Sequence, residues 1–201
     1  MNVSRRTLFA ATGSFAAAAL LKPLPSVAET DNLSPALVRR ALEALQTHAT
    51  AIPNRDVIAV ADFSLPSRIP RFYLLDVANA HVLSSHLVAH GRGSDPSHTG
   101  WLQRFSNMPS SNATSSGAYV TDGLYIGGHG RSIRLTGLEA SNDNALTRAI
   151  VVHAAWYVSP AMAQAHGVLG RSEGCFALSD ESLPEVLDRI GSGHLIYADK
   201  I

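Results

Sequence analysis

"RAIVVHAAW", residues 148–156, is the stretch on which the fold turns. From Ala149 to Val152 it is continuously apolar and largely β-branched, as expected of a strand buried on both faces. His153 ends the run, where a buried strand can aim a side chain into a cleft. Upstream, "DVIAVADF" (56–63), "RFYLLDV" (71–77) and "AHVLSSHLVAHG" (80–91) read as further strands. The last two, separated by the Ala78-Asn79 region, predict a hairpin. "AYVTDGLYIGGHGRSIRLTGLE" (118–139) predicts two strand pieces around a Gly-rich turn, and "HLIYA" (194–198) a final strand.

Helices are fewer. "LSPALVRRALEALQTHATAI" (33–52) has Ser34 as N-cap and Pro35 at the first helical position. Leu37, Val38, Ala41, Leu42 and Leu45 fall on one face, so this helix should brace the domain. Ser159-Pro160 opens a short helix closing near Gly167, and "SLPEVLDRIGSG" (182–193) predicts a last one, stopped by Gly191. Between Gly91 and Gly117 runs a long Ser-, Gly-, Asn- and Pro-rich loop, of the kind that is functional or disordered. Trp101 and Phe105 argue against disorder. The expected fold is mainly β with peripheral helices (α+β). Strand and helix do not alternate regularly, which counts against a doubly wound sheet.

The N-terminus reads as an export signal over residues 1–28. It has a polar start with Arg5 and Arg6, an apolar run from Leu8 to Leu21, and small residues at Ser26-Val27-Ala28. The apolar run is short of the roughly 20 residues a membrane span needs. "SRRTLF" looks like a twin-arginine signal, so a periplasmic location is expected. Residues 29–56 are then helix and linker, and 57–201 a single domain. Losing residues 1–28 removes Arg5, Arg6 and Lys22 and no acids, leaving 13 basic against 16 acidic side chains, net −3. That is too mild to imply a nucleic-acid partner. No second apolar segment approaches spanning length, and a monomer is expected.

Cys175 is the chain's one cysteine. An oxidising compartment favours paired cysteines, so a lone one is either shielded or functional. As a buried filler it would be a small hydrophobe. As a nucleophile it would need a base and a rigid turn. His153, earlier in the chain, offers the base, and a carbonyl such as that of Ala154 would fix its tautomer. The amides around Gly174-Cys175 are candidates for an oxyanion hole.

"IVVHAAWYV … GRSEGCFAL" resembles the signature of the L,D-transpeptidase (YkuD-type) catalytic domain: a histidine at a strand end, then Ser/Thr-x-Gly-Cys. "VAHGRGSD", "RFSNMPSS", "SSGAYVT", "HGRSIRLTGLE" and "NDNALTRAIVVHAA" are similar, in the same order, to segments of its murein L,D-transpeptidase branch. The resemblance covers roughly residues 57–198 and implies a YkuD-like β-sandwich. It implies Cys175 as the nucleophile on a peptidoglycan stem peptide and His153 as the base. Backbone amides at Gly174 and Cys175 would hold the oxyanion, and Ser172 completes the motif. Donor and acceptor stems are the implied partners, and no metal or organic cofactor is implied.

Two positions depart from the family. Glu173 stands where histidine is usual, and a carboxylate there opposes a thiolate unless it points away or pairs with a cation; Arg171 is the nearest candidate. The alternative role for Glu173 is to read a charged group of the substrate, such as an amino group, and both residues count among the substrate-binding candidates. "CFAL" is apolar after the cysteine, where many relatives are polar near Ala177. His129, in the Gly-rich turn, is a further candidate substrate contact. Asn107, Ser115, Ser116 and Tyr119 fall in the segment resembling the cleft wall. Arg131 and Arg134 are candidates to meet the carboxylates of diaminopimelate, or ordinary surface charges.

Three functional classes remain. The first is a cysteine L,D-transpeptidase, or an L,D-carboxypeptidase of the same fold, which share an acyl-enzyme. The second is a zinc peptidase: His86 and His90 have i, i+4 spacing, but on a strand such spacing does not converge. The third is a catalytically silent wall-binding domain. Sensitivity to thiol alkylation rather than chelation separates the first two, and a covalent adduct on Cys175 excludes the third.

Overall fold

The N-terminal apolar stripe folds as α1, Pro35–Thr47, with Ser34 at the N-cap and Pro35 in the first turn. The computed structural model describes residues 33–201, and the expected export signal at 1–28 lies outside the described residues. The apolar runs become eight strands: β1 (Val57–Asp62), β2 (Phe72–Asp76), β3 (His81–His86), β4 (Gly117–Gly127), β5 (Gly130–Gly137), β6 (Val151–Ala154), β7 (Phe176–Leu178) and β8 (Leu195–Asp199). Two further helices intervene, α2 (Pro160–His166) and α3 (Leu183–Arg189). Ser159 caps α2 by accepting the Met162 amide, and Gly167 ends it at φ 69°, a left-handed turn that suits glycine.

The strands form one sheet in the order β3-β2-β1-β8-β4-β5-β6-β7. The expected hairpins β2–β3 and β4–β5 are antiparallel neighbours. Two pairings are parallel, β1 with β8 and β6 with β7. The sheet curls until its ends meet: Ala89, just past β3, bridges to Ala177 in β7, and Gly91 to Ser172. Inside the curl lies a core that includes Phe63, Phe72, Tyr119, Ile133, Val152 and Phe176, with Leu183, Val186 and Leu187 of α3 added to it. α1 covers the opposite face of the central strands, where Leu37, Ala41 and Leu45 pack with Ile58, Val60 and Leu195. Over the described residues the fold is thus mostly β with three α-helices, as expected. β7 was not expected as a strand: three residues are too few to show a period.

Side-chain alternation decides which residues leave the core. On β6, Val152 points inward, so Val151 and His153 point to the outer face. On β5, Ile133 and Leu135 are core residues, so Ser132 and Arg134 share that outer face. The register pairs Ser132 with His153 and Arg134 with Val151. Across the β6–β7 pair His153 lies opposite Ala177. Cys175, two residues before Ala177, therefore emerges on the same side as His153.

Candidate active site

The site is built where β6, the turn before β7 and the 91–117 loop converge. His153 is nearly buried, and its Nδ1 lies 2.8 Å from the carbonyl oxygen of Ala154. A carbonyl only accepts, so Nδ1 carries the proton and Nε2 keeps a lone pair. Burial first, and then the charge of His129, hold the His153 pKa below the ordinary histidine value, opposed by the Ala154 bond. The ring of His129 stacks on that of His153, with centroids 4.3 Å apart and planes inclined by 26°. The neutral, oriented imidazole is suited to accept a proton.

Cys175 is half-buried, and its thiol donates to the Ala149 carbonyl at 3.6 Å. Burial is the largest influence on the thiol and raises its pKa above the ordinary range; the charge of Glu173 pushes the same way. The amides of Val151 and of Cys175 itself, and the Arg148 guanidinium, favour the thiolate. Both shifts favour the uncharged forms, thiol and imidazole.

The turn carrying the sulfur is fixed from several sides. Gly174 has φ 121°, and a Cβ there would come within 2.8 Å of the Ala113 carbonyl oxygen and of Ile150 Cδ1, so only glycine fits. Ser172 Oγ donates to the Cys175 carbonyl (2.7 Å) and accepts the Gly174 amide (3.2 Å). That amide, expected to face an oxyanion, is thus turned into the turn itself. Arg92 and His90 in turn hold Ser172 through backbone bonds of 2.8 and 3.0 Å. Behind His90 lies a buried polar cluster. Arg71 Nη2 donates to His90 Nδ1 (2.7 Å), and His90 Nε2 faces Asp95 at 3.5 Å. Asp95 accepts the amides of Thr99 and Gly100.

Residues 29–198 match the family described as the L,D-transpeptidase catalytic domain. The chain belongs to this family. The match begins at residue 29, so it takes in α1 as well as the sheet. Among solved structures, the chain is similar to L,D-transpeptidase 3 from Mycobacterium tuberculosis in complex with a faropenem-derived adduct, at 15% identity and TM-score 0.46, covering 72% of this chain and 60% of that one. It is also similar to L,D-transpeptidase 1 from the same organism, at 17% identity and TM-score 0.40, covering 71% and 60%. A third is an L,D-transpeptidase from Mycobacterium smegmatis, at 16% identity and TM-score 0.43, covering 72% and 58%. The chain spans about three fifths of the length of those structures. No curated protein matches its sequence.

In this L,D-transpeptidase domain the other expected site residues separate into surface and support. His129 is exposed and lies at the face of the His153 imidazole. Glu173 is exposed, and its cation is Arg92 at 2.8 Å, not Arg171. Arg171 instead gives its guanidinium to the carbonyls of Asp95 and Pro96 and holds the 91–117 loop. Tyr119 is fully buried and donates to the Ser115 carbonyl (2.8 Å), so it supports the cleft wall from within and offers a substrate no surface. Asn107 donates to Asp143 (2.6 Å) and Ala140 (3.0 Å), tying the loop to the segment ahead of β6. Ser116 is half-buried, and its carbonyl accepts from Ser141 (3.0 Å). His86 and His90 do not converge: His86 lies 2.9 Å from Ser84 Oγ, and His90 is in the buried cluster.

Two residues not anticipated from the sequence belong to the site. Arg148 reaches Ser106 O, Ser115 Oγ, Ser111 Oγ and Ala113 O, pinning the loop against the cysteine turn. It stands at the head of the "RAIVVH" run, where a cation before a buried strand is the signal that was there to read. Tyr157 is held under Gly170, whose Cβ would fall 2.5 Å from the ring. Burial pushes its hydroxyl up to about 12, with further upward pressure from the charges of Cys175 and Glu173.

Proposed function

We propose that the protein is a peptidoglycan L,D-transpeptidase that works through a thioester on Cys175. The observation that carries this reading is the shared face of His153 and Cys175, with the His153 Nδ1 proton committed to Ala154 and Nε2 left as base. Cys175 Sγ attacks the carbonyl carbon of a stem-peptide bond while its proton passes to His153 Nε2. The tetrahedral oxyanion is met by the Cys175 amide. Collapse breaks the C–N bond, and His153 returns the proton to the departing amine. The thioester is resolved by an amine of a second stem, giving a cross-link, or by water, giving a trimmed stem. An exported chain with residues 1–28 as a twin-arginine signal would meet this substrate in the periplasm.

The test uses the mature protein and isolated disaccharide-tetrapeptide stems, with products separated and weighed. Dimers, or stems shortened by one residue, are expected from the wild type and neither from Cys175→Ala. Products that persist in Cys175→Ala contradict the reading.

A further inference from the structure

Beside the thiol lies a cavity of about 190 Å³, lined by Tyr125, Arg134, Leu146, Ala149, Ile150 and Val151. At about 30 Å³ per water, it has room for a side chain of several heavy atoms. One of its walls also touches the sulfur, Ala149, whose carbonyl accepts the thiol at 3.6 Å. Ala149 has φ 54°, a left-handed conformation uncommon for alanine and of the kind that clusters at functional sites. A group seated in the cavity is therefore within one residue's reach of a carbonyl poised for attack.

The lining has two chemistries. Leu146, Ile150 and Val151 are aliphatic. At the other end the Arg134 guanidinium lies over the Tyr125 ring, 4.0 Å from its centroid. Stacking fixes the plane of the guanidinium and leaves its edge N–H groups to grip a carboxylate in a bidentate manner. The ion pairs of the described residues leave Arg134 out, and it does not pair with its register partner Asp122, which borders a β-bulge. The neighbouring cations are committed elsewhere: Arg131 lies 3.7 Å from Asp188, and Arg148 is bound to the loop. An aliphatic wall leading to one unpaired, oriented guanidinium suits an aliphatic chain that ends in a carboxylate.

We propose that this cavity is a subsite for a carboxylate-terminated aliphatic side chain of the acyl donor, with Arg134 as the residue that selects it. The inference rests on the acyl-enzyme reading above and adds which donor is preferred. It also separates Arg134 from Arg131, two arginines that the sequence alone leaves equivalent.

The test compares two synthetic tetrapeptide stems carrying meso-diaminopimelate at the third position, one with its side-chain carboxylate free and one amidated. The rate of Cys175 acylation is followed by intact mass. The wild type is expected to favour the free carboxylate by about tenfold or more, as for loss of a charge-assisted bond. Arg134→Gln is expected to lower kcat/KM for the free-carboxylate donor by that factor and to leave the amidated donor unchanged. Arg134→Lys is expected to restore part of the preference. Equal acylation of both donors by the wild type, or equal loss on both in Arg134→Gln, overturns the subsite alone. No acylation from either donor overturns the proposed function, and the subsite with it.

Discussion

Burial holds the Cys175 thiol above the ordinary cysteine range, while Arg148 draws it down and Glu173 pushes it up. The balance gives Glu173 a measurable role even though it points into solvent against Arg92. Replacing it with glutamine removes the charge that opposes the thiolate. The pH profile of Cys175 alkylation by iodoacetamide is therefore expected to move to lower pH in Glu173→Gln, and a profile that stays put would reduce Glu173 to a turn residue. The residues alone left Cys175 open between filler and nucleophile, and it was the family resemblance that paired it with His153; the Ala154 carbonyl was legible as the tautomer lock. The partner of Glu173 was not. Arg171 is nearer in sequence, but the bridge between Gly91 and Ser172 brings Arg92 beside the turn, and a long-range bridge leaves no local trace. Tyr119 reads as cleft wall from its neighbours; only the curl of the sheet reveals that its ring faces inward.

At the scale of elements, the strands with clear periods and the helices with Ser and Pro at their starts were legible. β7 was not, because three residues carry no pattern and its partner β6 is parallel and distant in sequence. The buried cluster under the cysteine turn was equally hidden, since Arg71 comes from the connection before β2 and His90 and Asp95 from the one between β3 and β4. Burial, with the nearby Arg71 charge, lowers the His90 pKa to about 3, against an unfolded value near 6.5. Between those values the unfolded chain binds one more proton than the folded one. Stability therefore rises with pH across this window and is lost on acidification, by up to about 1.4 kcal/mol per pH unit. Asp95 and Arg171 face the same ring, and Asp95, itself held below the carboxylate range, adds to the loss at the acid end. Urea midpoints measured between pH 7 and pH 4 should fall steeply, and less so in His90→Gln. An unchanged slope in that variant would remove His90 as the cause.

For the whole molecule, one curled sheet supports both faces of the chemistry. Its inner core fixes β6 and β7, and α1 covers the outer face of its central strands. Leu45 of α1 is buried against β1 and β8, so Leu45→Ala should cost about 2–5 kcal/mol in urea unfolding. A cost under about 0.5 kcal/mol would mean that α1 is an appendage. The amphipathic stripe made this helix legible, and its start fell at Ser34 as expected, although the Ser34 side chain makes no capping bond; the closure of the sheet through Ala89 and Ala177 was not, because single bridges need the folded chain. The central claim, that Cys175 carries the acyl group, is tested most directly by the intact mass of the mature protein mixed with a tetrapeptide stem and quenched in acid. The account predicts an added mass equal to the stem less its departing residue, located on Cys175 and abolished in His153→Ala. An unmodified Cys175 in protein that is turning over the stem would contradict it.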